Sequence, residues 1–194
     1  MTSIDPATPQ DLADAHAQLG RPMRAVHGVA HRCGCGRADV LATEPRLPDG
    51  TPFPTLYYLT CPRATGAVST LESEGLMRSM AARLAEDADL AAAYRTAHEA
   101  YLADREALGH VEHIAGISAG GMPDRVKCLH VLVAHALAAG PGVNPLGDEA
   151  LAELRARGIA PETAWGGSAT GCVAAAAALP DSSGCSSVSP EPHA

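Results

Sequence analysis

The chain has 194 residues and a formal net charge of −8 at pH 7. This length is enough for one domain with a substantial core, and the negative charge argues against a general nucleic-acid-binding protein, because neutralising phosphates requires a basic surface. Aromatic residues make up only 3% of the chain, so small residues, leucine and valine must fill the core, which favours closely approaching helices.

The first third of the chain predicts one helix and a small antiparallel sheet. Thr8 can cap a helix over residues 8–20. A tight Cys-Gly-Cys-Gly turn at residues 33–36 separates two extended segments, and the tyrosines and threonines of a third segment favour a pleated surface. The three predicted strands cover residues 23–31, 38–43 and 55–60.

The remainder of the chain predicts helices followed by a tail. After Pro62 the pattern becomes helical, and Gly75 marks a break between two helices. Later helices are expected over residues 87–108, 123–139 and 148–157. From Gly166 onward Gly, Ser, Ala and Pro dominate, as in disordered segments. We therefore expect a mostly helical α+β domain over 1–160, with about three antiparallel strands packed on several helices, and a disordered low-complexity tail over 161–194.

The sequence predicts a cytoplasmic protein. No apolar run approaches the roughly 20 residues of a membrane span, and the N-terminal residues lack the basic region and hydrophobic core of a secretory signal. In a reducing compartment the six cysteines are expected to be thiols or metal ligands rather than structural disulfides. A redox-active pair is the less favoured interpretation.

Four cysteines stand where tetrahedral zinc sites usually collect their thiolates. Cys33 and Cys35 lie in the tight turn. Cys61 ends the third strand, and Cys128 lies in the first turn of the predicted helix over 123–139. We expect these four to bind zinc, with His31 as a substitute ligand and an iron–sulfur cluster as the less favoured variant. The alternative is that each cysteine is buried separately as a small hydrophobic residue.

Helix geometry limits which residues near Cys128 can join that site. In a regular helix Cys128 and His135 lie roughly 10 Å apart along the axis, and His130 lies about 200° around it. Only one of the three is therefore expected to reach a shared ion. Cys172 and Cys185 fall in the predicted tail and are given no specific role.

A glycine turn followed by two cations predicts a second site, for an anion. Backbone N–H groups of Ser118, Gly120 and Gly121 can surround an oxyanion at a helix start. Arg125 and Lys127 would add charge-assisted contacts to a phosphate or carboxylate. The spacing is neither that of a P-loop nor that of a dinucleotide-binding fold, and the alternative is an ordinary glycine hinge before a helix.

Three blocks of the sequence resemble an uncharacterised bacterial family that is catalogued only as a domain of unknown function. The blocks are Arg-Cys-Gly-Cys-Gly at 32–36, the proline-rich run through Tyr-Tyr-Leu-Thr-Cys-Pro at 45–62, and residues 120–130 continuing through 144–148. The resemblance covers roughly residues 20–155 and implies no established activity. Genes of that family often lie near those of an exopolyphosphatase and a septum-formation protein, which favours a phosphate-containing ligand.

Two functions follow as hypotheses. The first is a cytoplasmic metal-binding protein with a structural or regulatory role, in which zinc joins the small sheet to the late helix. The second is a small enzyme or sensor for a phosphorylated or other anionic small ligand at the glycine turn, with His130 or Asp124 in proton transfer. An interaction module built on the alanine-rich helices is a third, and the sequence does not decide whether the protein is an enzyme.

Overall fold

The computed structural model describes residues 2–167 and Cys172. Within them the chain forms six α-helices and three β-strands, which confirms the predicted α+β class. The elements in order are α1 Pro9–Leu19, β1 Val26–Arg32, β2 Ala38–Thr43, β3 Tyr57–Leu59, α2 Pro62–Ser73, α3 Leu76–Glu86, α4 Ala88–Leu108, α5 Leu129–Ala139 and α6 Pro145–Ala156, with short 3-10 turns at Glu112–Ile114 and Pro161–Thr163. No helix among these residues is both long and apolar enough to cross a lipid bilayer.

The sheet is antiparallel, with β2 between β1 and β3. Leu41 of β2 pairs with Val29 of β1 on one side and with Tyr58 of β3 on the other. Every residue of β2 is buried, because the helical layer and α1 cover the central strand. The helix and the small antiparallel sheet predicted for this third of the chain are confirmed.

An ion pair joins helix α1 to the sheet, and the carboxylate of this ion pair also takes part in the cap of the helix. Asp11 accepts a hydrogen bond from the backbone N–H of Thr8, whose side chain accepts the N–H of Asp11 in return. Arg32 of β1 donates to both carboxylate oxygens of Asp11, at 2.6 and 3.0 Å. The hydrogen bond from Arg32 holds the pKa of Asp11 well below its usual range.

Helix α5 is the centre of the helical layer. It packs against β3, α2 and α6, and it is apolar around most of its circumference because it is covered on several sides. Gly147 of α6 faces the Leu132 carbonyl of α5, and a Cβ at Gly147 would collide with that carbonyl. Glycine therefore permits the close helix approach that the small-residue composition predicts.

The predicted helix over 123–139 begins later, at Leu129. Gly121 accepts the N–H of Arg125 at 2.9 Å and Gly120 accepts the N–H of Lys127 at 2.8 Å. These two hydrogen bonds fold the preceding residues into a compact loop, so the proline at 123 starts no helix. The prediction that Cys128 occupies a helical turn is wrong for the same reason: it is the N-cap residue, with extended backbone.

Residues 161–167, which the sequence places in the tail, pack against the domain. Trp165 is 1% exposed, and its indole N–H donates to the carboxylate of Asp39 in β2 at 3.1 Å. The Gly34 N–H donates to the carbonyl of Pro161 at 2.8 Å. Of the remaining predicted tail only Cys172 is described, so the predicted disorder of 168–171 and 173–194 lies outside the described residues.

A buried histidine lies between two tyrosine rings near the middle of α5. His135 stacks on Tyr57 at 5.7 Å between ring centroids and meets the edge of Tyr101 at 5.2 Å. The side-chain amide of Asn144 donates to its Nδ1 at 3.1 Å, so the proton of the neutral ring is on Nε2, which has no hydrogen-bond partner among the described residues. Burial lowers the pKa of His135 from its usual 6.5 to about 4.

The low pKa of His135 predicts an acid-sensitive stability. The folded state prefers the neutral ring, so this contribution is complete above about pH 6.5 and is lost as the pH falls towards 4. The loss should amount to roughly 3 kcal/mol. Urea unfolding between pH 7.5 and 4 should show the free energy of unfolding falling as the pH falls. His135→Gln should reduce this fall, whereas the same change at the exposed His113 should not. An equal slope in both variants would contradict the assignment.

Candidate functional site

Three parts of the chain bring cysteines to one place. Cys33 and Cys35 lie in the turn between β1 and β2, Cys61 caps the start of α2, and Cys172 comes from the C-terminal segment. The Sγ atoms of Cys33, Cys35 and Cys172 all lie within 4.8 Å of one another, and the buried thiol of Cys61 is near enough to Cys172 for the two to affect each other's titration. All except the partly exposed Cys35 are buried.

The conformation of the turn at residues 33–36 places its two sulfurs next to the C-terminal segment. The N–H of Gly36 donates to the carbonyl of Cys33 at 2.8 Å, which closes the turn. The N–H of Cys35 points at the Sγ of Cys33 at 3.4 Å. Between the two cysteines, Gly34 lies so near the carbonyl of Glu162 that a Cβ would collide with it. Glycine at position 34 is therefore what lets residues 161–167 approach.

Cys61 sits where a helix start can stabilise a thiolate. Its side chain is fully buried, and the backbone N–H groups of Arg63 and Ala64 at the start of α2 tend to lower the pKa of its thiol. Burial nevertheless raises the pKa of the Cys61 thiol to about 11, and the nearby Cys172 adds to the rise. A cation bound beside these sulfurs would lower the pKa of both thiols and favour the thiolates.

In the structure Cys33 and Cys35 are paired as a disulfide, and Cys61, Cys128 and Cys172 are free. The sequence favoured thiols or ligands at these positions over a redox-active pair. The same two sulfurs can serve as metal ligands only in the reduced state, because the ligand is the thiolate.

His31, the substitute ligand predicted from the sequence, has a different partner. Its Nδ1 is 2.6 Å from the carboxylate of Asp39, which is fully buried and also accepts the indole N–H of Trp165. In the described part of the chain His31 does not belong to the cysteine cluster. It binds instead the carboxylate of Asp39, which also accepts the indole N–H of Trp165.

Cys128, the predicted fourth ligand, groups with other residues. Ligating atoms of Cys128, His130 and Glu72 lie within 4.8 Å of one another, in a cluster separate from Cys33 and Cys35. The expected 200° separation between Cys128 and His130 is wrong, because Cys128 precedes the helix in extended conformation and its Sγ lies 3.8 Å from the His130 Nδ1. Cys172, to which the sequence gave no role, lies beside Cys33 and Cys35, where the sequence predicted Cys128.

The predicted anion site is a surface loop in which two glycine carbonyls accept hydrogen bonds from within the loop. The carbonyls of Gly120 and Gly121 accept the N–H groups of Lys127 and Arg125. The side chains of Arg125 and Lys127 are exposed. The two cations are thus available at the surface, but the glycines precede the helix by a full loop and do not form its start.

The helix start itself is occupied by the chain's own carboxylate. Glu72 of α2 accepts the N–H of Leu129 at 2.7 Å, which is the position that an anionic ligand would take at the N-terminus of α5. Ser118 is buried, with its hydroxyl 2.9 Å from the Nδ1 of His98 and 3.3 Å from the carbonyl of Met122, to which it donates. Binding of a phosphate-containing ligand here stays a prediction.

The fold and the thiol cluster define a small α+β protein with a candidate metal centre at the edge of its sheet. The chain matches the family model described as "Protein of unknown function (DUF501)" over residues 29–152, and it belongs to this family. No curated protein and no solved structure matches the chain. The matched region contains Cys33, Cys35, Cys61 and Cys128, whereas Cys172 lies beyond it.

Proposed function

We propose that this protein binds one zinc ion through the thiolates of Cys33, Cys35, Cys61 and Cys172, and that the ion has a structural role. The observation that supports this most directly is the convergence of the sulfurs of Cys33, Cys35 and Cys172 within 4.8 Å of one another, with the thiol of Cys61 near Cys172. Separate burial of unrelated thiols does not require such a convergence from distant parts of a chain.

The arrangement suits zinc in its ligand types and dimensions. Tetrahedral zinc–sulfur bonds of about 2.3 Å place neighbouring sulfurs about 3.8 Å apart, which lies within the 4.8 Å that bounds the separations of Cys33, Cys35 and Cys172. The tight turn that carries Cys33 and Cys35 and the helix start that carries Cys61 are typical sources of ligands in structural zinc sites. Two equivalents of a small-molecule thiol can reduce the Cys33–Cys35 disulfide and are themselves oxidised to a disulfide, and the two cysteine thiols then lose their protons on binding zinc.

Four thiolates leave no open position on the ion, which favours a structural over a catalytic role. The ion would join the β1–β2 turn to the start of α2 and to the C-terminal segment. Residues 161–167 already dock beside that turn through Gly34 and Trp165. The proposal implies a reducing compartment, consistent with the cytoplasmic location expected from the sequence.

Metal analysis of protein purified under reducing conditions tests this proposal. We expect about one zinc per chain, and a large loss of zinc in Cys61→Ser and in Cys172→Ser, because each removes one of four ligands. Cys128→Ser is the matched control and should retain its zinc. An absorption band in the visible region with bound iron would indicate the iron–sulfur variant instead.

Two outcomes would overturn the zinc proposal. One is a content below about 0.2 zinc or iron per chain in the reduced wild type. The other is loss of zinc in Cys128→Ser with full retention in Cys172→Ser, which would restore the ligand set expected from the sequence. Because Trp165 is the one tryptophan and contacts Asp39 beside the cluster, its fluorescence should also shift when a chelator removes the ion.

A further inference from the structure

A second cluster of reactive side chains lies at the start of α5, away from the four cysteines of the proposed zinc site. The Sγ of Cys128 is 3.8 Å from the Nδ1 of His130, and that Nδ1 is 3.2 Å from the Oε1 of Glu72. Glu72 comes from α2 and is held in place by the N–H of Leu129 at 2.7 Å. A thiol, an imidazole and an orienting carboxylate are thus within contact distance.

The hydrogen bonds of His130 determine where its protons are. Its Nε2 lies 3.2 Å from the carbonyl of Thr65, which can only accept, so Nε2 carries a proton. A neutral ring would then turn the lone pair of Nδ1 towards the carboxylate of Glu72, and two acceptors would face each other. A second proton on Nδ1 removes this conflict, because the imidazolium can donate to Glu72 and to the Cys128 thiolate.

The electrostatics of the pair agree with that arrangement. The hydrogen bond with Cys128 raises the pKa of His130 to about 9, with Glu72 adding to the effect against the burial of the ring. Burial and the carboxylate of Glu72 tend to raise the pKa of the Cys128 thiol, but the neighbouring His130 and the backbone N–H of Val131 at the helix start outweigh them, and the pKa is lowered. Cys128 therefore differs from Cys61, whose pKa is raised.

Cys128 and His130 form part of the wall of a pocket of about 390 Å³. The rest of the wall is mostly apolar and includes Leu19, Tyr58, Leu59 and Val131. Lysine and arginine do not line it within the described residues. A pocket of this kind favours an uncharged apolar group close to the sulfur.

We propose that Cys128 is the nucleophile of an acyl-transfer site, with His130 as general acid and base and Glu72 as a positioning residue, acting on an apolar acyl group carried by an ester or thioester. A half-buried sulfur faces an imidazole that a half-buried carboxylate orients, at the wall of an apolar pocket. This proposal is independent of the proposed zinc site.

The proposed reaction has two steps, acylation of Cys128 and hydrolysis of the resulting thioester. The Cys128 thiolate attacks the carbonyl carbon, an S–C bond forms, the bond to the leaving alcohol or thiol breaks, and His130 gives its Nδ1 proton to the leaving group. In the second step water adds to the thioester carbon and gives a proton to His130. The C–S bond then breaks, which releases the carboxylic acid and restores the thiolate–imidazolium pair.

Alkylation by iodoacetamide, mapped to individual cysteines by peptide mass spectrometry, tests the first part of the proposal. The titratable groups that face Cys128 are His130 and Glu72, and Tyr57 and Tyr58 of β3 line the same pocket. The rate at Cys128 should rise with pH at a lower midpoint than that of an ordinary thiol near 8.5. At pH 7 it should fall roughly tenfold in His130→Gln, and His113→Gln is the matched control.

A p-nitrophenyl ester of a short fatty acid tests the second part. We expect a burst of p-nitrophenolate and an acyl adduct on Cys128 in the wild type, and loss of both in Cys128→Ala. His130→Gln should slow acylation by roughly 100-fold. In Glu72→Gln the pH midpoint of acylation should shift, a readout that loss of packing alone would not produce. Circular dichroism checks that each variant is folded.

Three results would overturn this proposal: no acyl adduct on Cys128 in the folded wild type, an alkylation profile unchanged in His130→Gln, or alkylation that becomes fast only after a chelator is added. The last would show that Cys128, His130 and Glu72 bind a metal ion instead. Because zinc content of the four-cysteine site is measured separately, failure here leaves the proposed zinc site unaffected.

Discussion

Replacing Trp165 by alanine is expected to lower the free energy of unfolding by about 3–5 kcal/mol, the usual loss for a fully buried large aromatic side chain. Trp165 is 1% exposed, donates to Asp39 at 3.1 Å, and accepts a hydrogen bond at its carbonyl from Arg63 at 3.1 Å. For a chain of this size the melting temperature should fall by roughly 10 °C. Thermal and urea unfolding followed by circular dichroism measure both quantities.

A conservative variant separates the two contributions of Trp165. Trp165→Phe keeps most of the apolar area but removes the N–H that Asp39 accepts, so we expect a smaller loss of about 1–3 kcal/mol. Alanine at the exposed Leu12 is the control for a large side chain on the surface. An unchanged melting temperature in Trp165→Ala would mean that residues 161–167 are not part of the folded domain.

Replacing Arg105 by alanine is the second substitution with a large expected effect. This side chain of α4 is 1% exposed, and its guanidinium donates to the carbonyls of Pro54, Ile114 and Ile117 at 3.2, 2.6 and 2.5 Å. Burial lowers the pKa of Arg105. Removing it leaves three carbonyls short of a donor, and we expect a loss of about 3–5 kcal/mol.

Arg105→Lys should not restore that stability, because an ammonium group cannot reproduce the fixed fork of N–H donors that reaches three carbonyls. Arg95→Ala is the matched control, since Arg95 lies on the same helix and is exposed. Urea unfolding should separate the variants, with Arg95→Ala within about 0.5 kcal/mol of the wild type. A similarly small change in Arg105→Ala would show that this network adds nothing to stability.

The secondary structure could be predicted closely wherever its signals are local. Thr8 and Gly75 marked a helix start and a helix break from their own chemistry, and β2 was placed at 38–43 as observed. The start of α5 was misplaced because a proline after two glycines is compatible with a helix start and with a loop. Two backbone hydrogen bonds within residues 120–127 fold this segment into a loop and not into a helical turn.

The candidate sites could be predicted only in part. Cys33 and Cys35, which lie with Cys172 in one cluster, were singled out from their place in a tight turn. Cys172 was missed because its neighbours resemble a disordered segment, although the single tryptophan at 165 just before it was a signal that the segment packs. The Cys128–His130 pair was rejected on helix geometry that does not apply to an N-cap residue.

The sequence by itself determined the α+β class, the order of the elements and the cysteines at the β1–β2 turn, because periodicity, caps and turn residues act over a few neighbouring positions. Only the tertiary structure decided which side chains meet. Cys33 meets Cys172, and Glu72 of α2 meets His130 of α5, because these contacts depend on how α2, α5 and the C-terminal segment pack on the sheet. Packing of that kind joins residues far apart in the chain, and local patterns carry little information about it.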